Sequence, residues 1–120
     1  MRITDAESRI MEVLWQHGTC TAEHIVAELS RSTEWREGTV KALINRLLKK
    51  DAVSATAEGR RFLYTARVSK ADWVEGESRS FLERMFGGKV APLVAHFSQR
   101  GELSTADVAA LRKLVAELDK

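Results

Sequence analysis

Apolar residues recur at helical spacing three times in the first fifty positions, and the period then changes. Ala6, Ile10, Val13 and Leu14 share one face, as do Ala22, Ile25, Val26 and Leu29, and then Val40, Leu43, Ile44, Leu47 and Leu48. Thr4-Asp-Ala-Glu7 has the spacing of a capping box, so the first helix is expected to start near Asp5, and Gly18 supplies its exit. Thr21 caps a second helix, and the polar stretch Ser30-Arg-Ser-Thr-Glu34 separates it from a third. Beyond Asp51 the alternation falls to every second residue. Val53, Ala55 and Ala57 form one run, and Phe62 and Tyr64 alternate against Arg61, Leu63 and Thr65 in another, with a turn expected at Glu58-Gly59. Three helices followed by a basic hairpin is the element order of a winged helix.

The second half shows helical periods only. Ser69-Lys-Ala-Asp72 caps a long helix through Trp73, Val74, Phe81, Leu82 and Met85 to Phe86, and Gly87-Gly88 ends it. A second helix carries Val90, Leu93, Val94 and Phe97, with Pro92 in the first turn, where a missing amide hydrogen is tolerated, and Gly101 closing it. Ser104-Thr-Ala-Asp107 caps the last, with Val108, Leu111, Leu114, Val115 and Leu118 on one stripe. The expected fold is mainly α: a winged-helix domain over residues 1–68 and a three-helix domain over 69–120. Some fifty residues bury too little surface to be comfortably stable alone, so the second domain is expected to pair with another copy. Its apolar side chains Trp73, Phe81, Leu82, Phe86, Leu93, Val94, Phe97, Val108, Leu111, Val115 and Leu118 are the candidate dimer contacts.

The polar side of the third helix says what the winged helix is for. Thr39, Lys41, Ala42, Asn45, Arg46 and Lys49 mix groups suited to base edges with groups suited to phosphates, unlike the alternating Glu and Lys of a merely solvated face. Whole-chain charge is only +2, yet residues 41–67 hold seven Lys or Arg against Asp51 and Glu58, a local formal charge of +5. From Ser69 onward eight basic residues balance eight acidic ones. Basicity is therefore concentrated on the third helix and hairpin, and Arg36, Lys50, Arg60 and Arg61 complete the candidate DNA-binding set. A two-fold dimer would offer two such helices to double-stranded DNA half-sites one turn apart.

Other chemistry finds little footing. His17, His24 and His96 are scattered, and no glycine-rich phosphate loop or ordered nucleophile set appears, so no catalytic residue and no small-molecule substrate are expected. Cys20 lies near His17 and His24, but the three lack the paired spacing of zinc sites; no metal or other cofactor is expected, and Cys20 reads as a buried apolar position. A single cysteine forms no internal disulfide, which suits a reducing cytoplasm, and no apolar run is long enough for a signal peptide or membrane span. Two other functions share the fold. A protein-interaction module would need apolar anchors on the exposed face of the third helix, where the residues are small, polar or cationic. A metal- or ligand-sensing repressor would use His17, Cys20 and His24 or a pocket between domains.

The ordered set Ile3-Thr-Asp-Ala-Glu7, Val13-Leu-Trp15, Thr21-Ala22, Trp35, Thr39-Val40, Leu43, Arg46-Leu47, Lys49-Lys50, Gly59-Arg-Arg-Phe-Leu-Tyr64 and Phe86-Gly-Gly88 resembles the penicillinase-repressor family, the BlaI, MecI and CopY type, over nearly the entire chain. The resemblance implies a homodimeric bacterial repressor with an N-terminal winged helix and a C-terminal helical dimerisation domain, binding palindromes of the TACA/TGTA kind. It also implies control of β-lactamase-type operons through a membrane sensor-protease that leads to cleavage within the dimerisation domain; the matching bond is His96–Phe97. Relatives often have Ser where this chain has Arg36, Thr where it has Ala42 and Asn where it has His96. Gly38 in the first turn weakens the third helix, and the cysteine-rich tail of the copper-responsive branch is missing from a chain ending in Glu117-Leu-Asp-Lys120.

Overall fold

A computed structural model describes residues 2–120, which form two compact units dividing after Trp73. The first unit opens with α1 (Asp5–His17). The Thr4 hydroxyl accepts from the Glu7 amide at 3.2 Å and the Glu7 carboxylate accepts from the Thr4 amide at 2.9 Å, so the capping box closes as its spacing predicts. Gly18, at φ +79°, turns the chain out of α1. A two-residue strand β1 (Cys20–Thr21) runs directly into α2 (Ala22–Leu29), where the Thr21 hydroxyl caps by accepting from the His24 amide. Then come α3 (Glu37–Lys49), β2 (Val53–Glu58) and β3 (Arg61–Ala66).

α3 ends in a Schellman turn. The Asp51 amide donates to the Leu48 carbonyl and the Ala52 amide to the Leu47 carbonyl, with Asp51 at φ +61° in the position usually given to glycine. Ile10, Met11 and Leu14 of α1, Ile25 and Leu29 of α2, and Val40, Ile44 and Leu47 of α3 form one buried core, closed by Ala52 and Val53 at the root of the hairpin.

The antiparallel sheet has the order β1-β3-β2, pairing Cys20 with Tyr64 on one side of β3 and Glu58 with Arg61 at the far end of the hairpin. Two details differ from expectation. The hairpin loop is Gly59-Arg60, not Glu58-Gly59, because Glu58 still pairs in the ladder and Gly59 takes φ +64°. Burial along β2 ends at Val53 and Ser54, so Ala55 and Ala57 are wet and Phe62 on β3 is 53% exposed; alternation in the two runs does not mark a face packed along the whole hairpin.

Trp73 packs within the first unit. Its ring lies 5.5 Å from that of Trp15, whose indole N–H donates to the Val68 carbonyl at 2.8 Å. It packs, half-buried, on the winged-helix core, and the first unit runs to this residue.

The remaining elements are α4 (Lys70–Phe86), which begins in the first unit, α5 (Val90–Gln99) and α6 (Thr105–Leu118). Ser69 accepts from the Asp72 amide at the start of α4, and Ser104 and Asp107 close a capping box on α6. Between Val74 and Lys120 no residue is buried.

Candidate nucleic-acid interface

The third helix sorts its residues by face. Val40, Leu43, Ile44 and Leu47 enter the core, and Thr39, Lys41, Ala42, Asn45, Arg46 and Lys49 are exposed. Its start is set from the preceding turn, where the Thr33 hydroxyl donates to the Leu29 carbonyl and accepts from the Trp35 amide, and Trp35 packs against the core. Arg36 occupies the N-cap with extended backbone angles and no side-chain hydrogen bond to the helix, since a guanidinium has no acceptor to offer the first-turn amides.

The exposed face meets the wing across an open cleft of about 260 Å³, lined by Lys41, Ile44 and Asn45 of α3, Ala22 and Glu23 of α2, and Arg60, Arg61, Phe62 and Tyr64 of the hairpin. Thus the structure brings the α3 candidates Lys41 and Asn45 together with the wing candidates Arg60 and Arg61. Sequence reasoning had not placed Phe62, Tyr64 or Glu23 there, because it had no register between hairpin and helices; the two-residue strand β1 supplies that register. Lys41 is also engaged locally: its ammonium lies 2.6 Å from the Glu37 carboxylate one turn earlier. That hydrogen bond raises the lysine pKa and lowers the glutamate pKa, so both stay charged at neutral pH.

Lys50, also in the candidate set, is engaged inside the fold. Its ammonium sits 2.5 Å from Oε1 of Glu7, a residue 1% exposed, and also donates to the Arg2 carbonyl at 2.9 Å. Burial pushes the Glu7 pKa up, but hydrogen bonds from Lys50 and Thr4 outweigh it and hold the carboxyl below its ordinary value. Lys50 therefore neutralises a buried acid, although its side chain remains one-third exposed.

Cys20 is buried as expected, its thiol donating to the Gly18 carbonyl, and burial together with the nearby Glu28 carboxylate raises its pKa. In the second unit, Leu82, Phe86, Leu93, Val94, Val108 and Leu111 are half-buried, whereas Phe81, Phe97, Val115 and Leu118 are exposed, Leu118 to 83%. Met85, Val90 and Leu114 are also exposed, outside the candidate set. His96 and Phe97 lie on α5, both exposed.

A family model described as penicillinase repressor matches residues 3–117 of this chain. The chain belongs to the penicillinase repressor family. This family consists of DNA-binding transcriptional repressors and not of enzymes. The penicillinase repressor of Bacillus licheniformis is 33% identical over 116 residues, covering 97% of this chain and 91% of its own. The methicillin resistance regulatory protein MecI of Staphylococcus aureus is 26% identical, covering 94% of this chain and 92% of its own. Among solved structures, B. licheniformis BlaI in monomeric form in complex with the blaP half-operator is similar with a TM-score of 0.54 and 35% identity, over 60% of this chain and 88% of that one. The DNA-binding domain of BlaI gives 0.55 at 35% identity, over 59% and 87%. The winged helix of this chain is thus the DNA-binding module of its family. No described helix is long and apolar enough to cross a membrane.

Proposed function

We propose that this chain is a homodimeric transcriptional repressor in the cytoplasm that binds palindromic operators of the TACA/TGTA kind, one recognition helix to each half-site. The observation that carries this reading is the exposed face of α3, where Thr39, Lys41, Ala42, Asn45, Arg46 and Lys49 lie together, joined to Arg60 and Arg61 of the wing around one cleft. Thr39, Ala42, Asn45 and Arg46 are the base-reading residues. Arginine matches guanine O6 and N7, asparagine matches adenine N6 and N7, and an alanine methyl suits the methyl of thymine. Arg36, Lys41, Lys49, Arg60 and Arg61 hold phosphates. The pairing surface is supplied by the second unit, whose helices leave no residue fully buried; half-sites are then expected about 34–36 Å apart.

Derepression proceeds by cutting α5 at His96–Phe97 after a membrane sensor-protease is induced. Both residues are exposed, and breaking a helix that supports the dimer would cost linked, bivalent contact with the operator. β-Lactamase-type operons are the regulated genes on this reading. Fluorescence anisotropy on an inverted TACA/TGTA repeat and on a scrambled duplex of the same length tests the DNA part, with at least about a thousandfold preference for the repeat expected. Equal affinity for the two duplexes would overturn it. Incubation with the induced sensor system tests the second part: a fragment ending at His96 is expected, and an intact chain contradicts it.

A further inference from the structure

The fold assembles a cluster that spacing alone did not reveal. His17 closes α1, while His24 and Glu28 stand one turn apart on the same face of α2. Nε2 of His17 lies 3.5 Å from one oxygen of the Glu28 carboxylate, and Nε2 of His24 lies 3.8 Å from the other. The three donor atoms fall within 4.8 Å of one another. Ligand atoms around a tetrahedral zinc ion, each about 2.0–2.1 Å from it, stand roughly 3.3 Å apart, so small rotations of these side chains would close the shell. All three are partly open to solvent, which gives an ion a way in and leaves a fourth position for water.

We infer that His17, His24 and Glu28 form a binding site for a divalent transition-metal ion that staples the end of α1 to α2. Two imidazoles and one carboxylate are a donor set that suits zinc and its first-row neighbours. At 3.5 and 3.8 Å the two imidazole–carboxylate contacts are longer than a good hydrogen bond, so an ion among the three groups would give them a shared partner. Cys20 is not a ligand: its thiol is buried and engaged with the Gly18 carbonyl. The site lies at the entry to β1, the strand that holds β3 of the wing, and uses no residue of the α3 face, so it is independent of the operator reading.

Calorimetric titration of the untagged, chelator-treated full chain with Zn²⁺, alongside thermal unfolding, tests the inference. One ion per chain is expected, with a rise in Tm of at least about 4 °C at a hundredfold excess over Kd. His24→Ala and Glu28→Gln should each weaken binding at least about tenfold while keeping the zinc-free Tm within about 2 °C of the parent, and Cys20→Ser should bind zinc as the parent does. Absence of binding below millimolar Zn²⁺, or unchanged affinity in both His24→Ala and Glu28→Gln, would overturn it. So would loss of binding in Cys20→Ser.

Discussion

Glu7 performs two tasks with one carboxylate: it caps α1 through Thr4 and it neutralises Lys50 across the core. Removing one partner of a buried pair leaves the other charge poorly compensated. Glu7→Ala should therefore cost about 3 kcal/mol, read from the urea midpoint, part of it from the lost cap. Because the folded chain holds the Glu7 pKa below its ordinary value of 4.5, this stability is complete above that value. It is lost as the pH falls through the lower folded value. Glu7→Gln, which keeps the cap but does not titrate, should start less stable at pH 7 and lose less on acidification to pH 3 than the parent. Lys50→Ala should destabilise the fold and leave the ratio of operator to scrambled affinity unchanged.

The residues proposed to face DNA divide by a different test. Asn45→Ala and Arg46→Ala should each reduce the preference for the operator by ~1–3 kcal/mol. Lys49→Ala and Arg61→Ala should weaken binding to every duplex alike and lower the slope of log affinity against log salt by about 1 each. Anisotropy titrations at several salt concentrations separate the two groups. Identical behaviour of all four would refute the division.

At the scale of elements, the proposed recognition helix α3 starts without a side-chain cap. Arg36 holds extended N-cap angles but makes no capping hydrogen bond, and Gly38 follows in the first turn with open space where a Cβ would stand. Arg36→Ser should raise stability by about 1 kcal/mol by capping α3, and it should lower affinity for all duplexes by removing a cation. Thermal unfolding and anisotropy on the same variant check both signs. Loss of stability would mean that the helix start is not limited by its cap.

The helices were legible because their signals are local: Thr4 and Glu7, Thr21, and Ser104 with Asp107 cap where their spacing says they do. β1 was not, since two residues carry no period and exist as a strand only through pairing with Tyr64 and Leu63. The same gap hid the cleft around Phe62 and Tyr64 and left Glu7 looking like a cap residue alone. Lys50 reads as one more cation of the third helix until Glu7, distant in sequence, is seen beside it. The His17, His24 and Glu28 cluster was missed for a related reason: Cys20 is nearer in sequence, but the α1–α2 packing brings Glu28 instead.

For the whole molecule, the decisive feature is a second unit of three helices in which Phe81, Met85, Val90, Leu114, Val115 and Leu118 are exposed. Such an apolar surface on a small unit suits a partner, and a second copy also supplies the second reading helix that a palindrome requires. Val115→Glu places a charge on α6 where the side chain is 56% exposed, so the single chain should still fold. That variant should be monomeric and bind the inverted repeat at least about a hundredfold more weakly, with its affinity for an isolated half-site unchanged.

Sedimentation equilibrium of the full chain at micromolar concentration, alone and with an inverted TACA/TGTA repeat, measures directly whether two copies pair and sit together on the operator. A two-chain species in free solution and two chains on each repeat are expected. Single chains in solution, with no preferred stoichiometry on the repeat, would contradict the account.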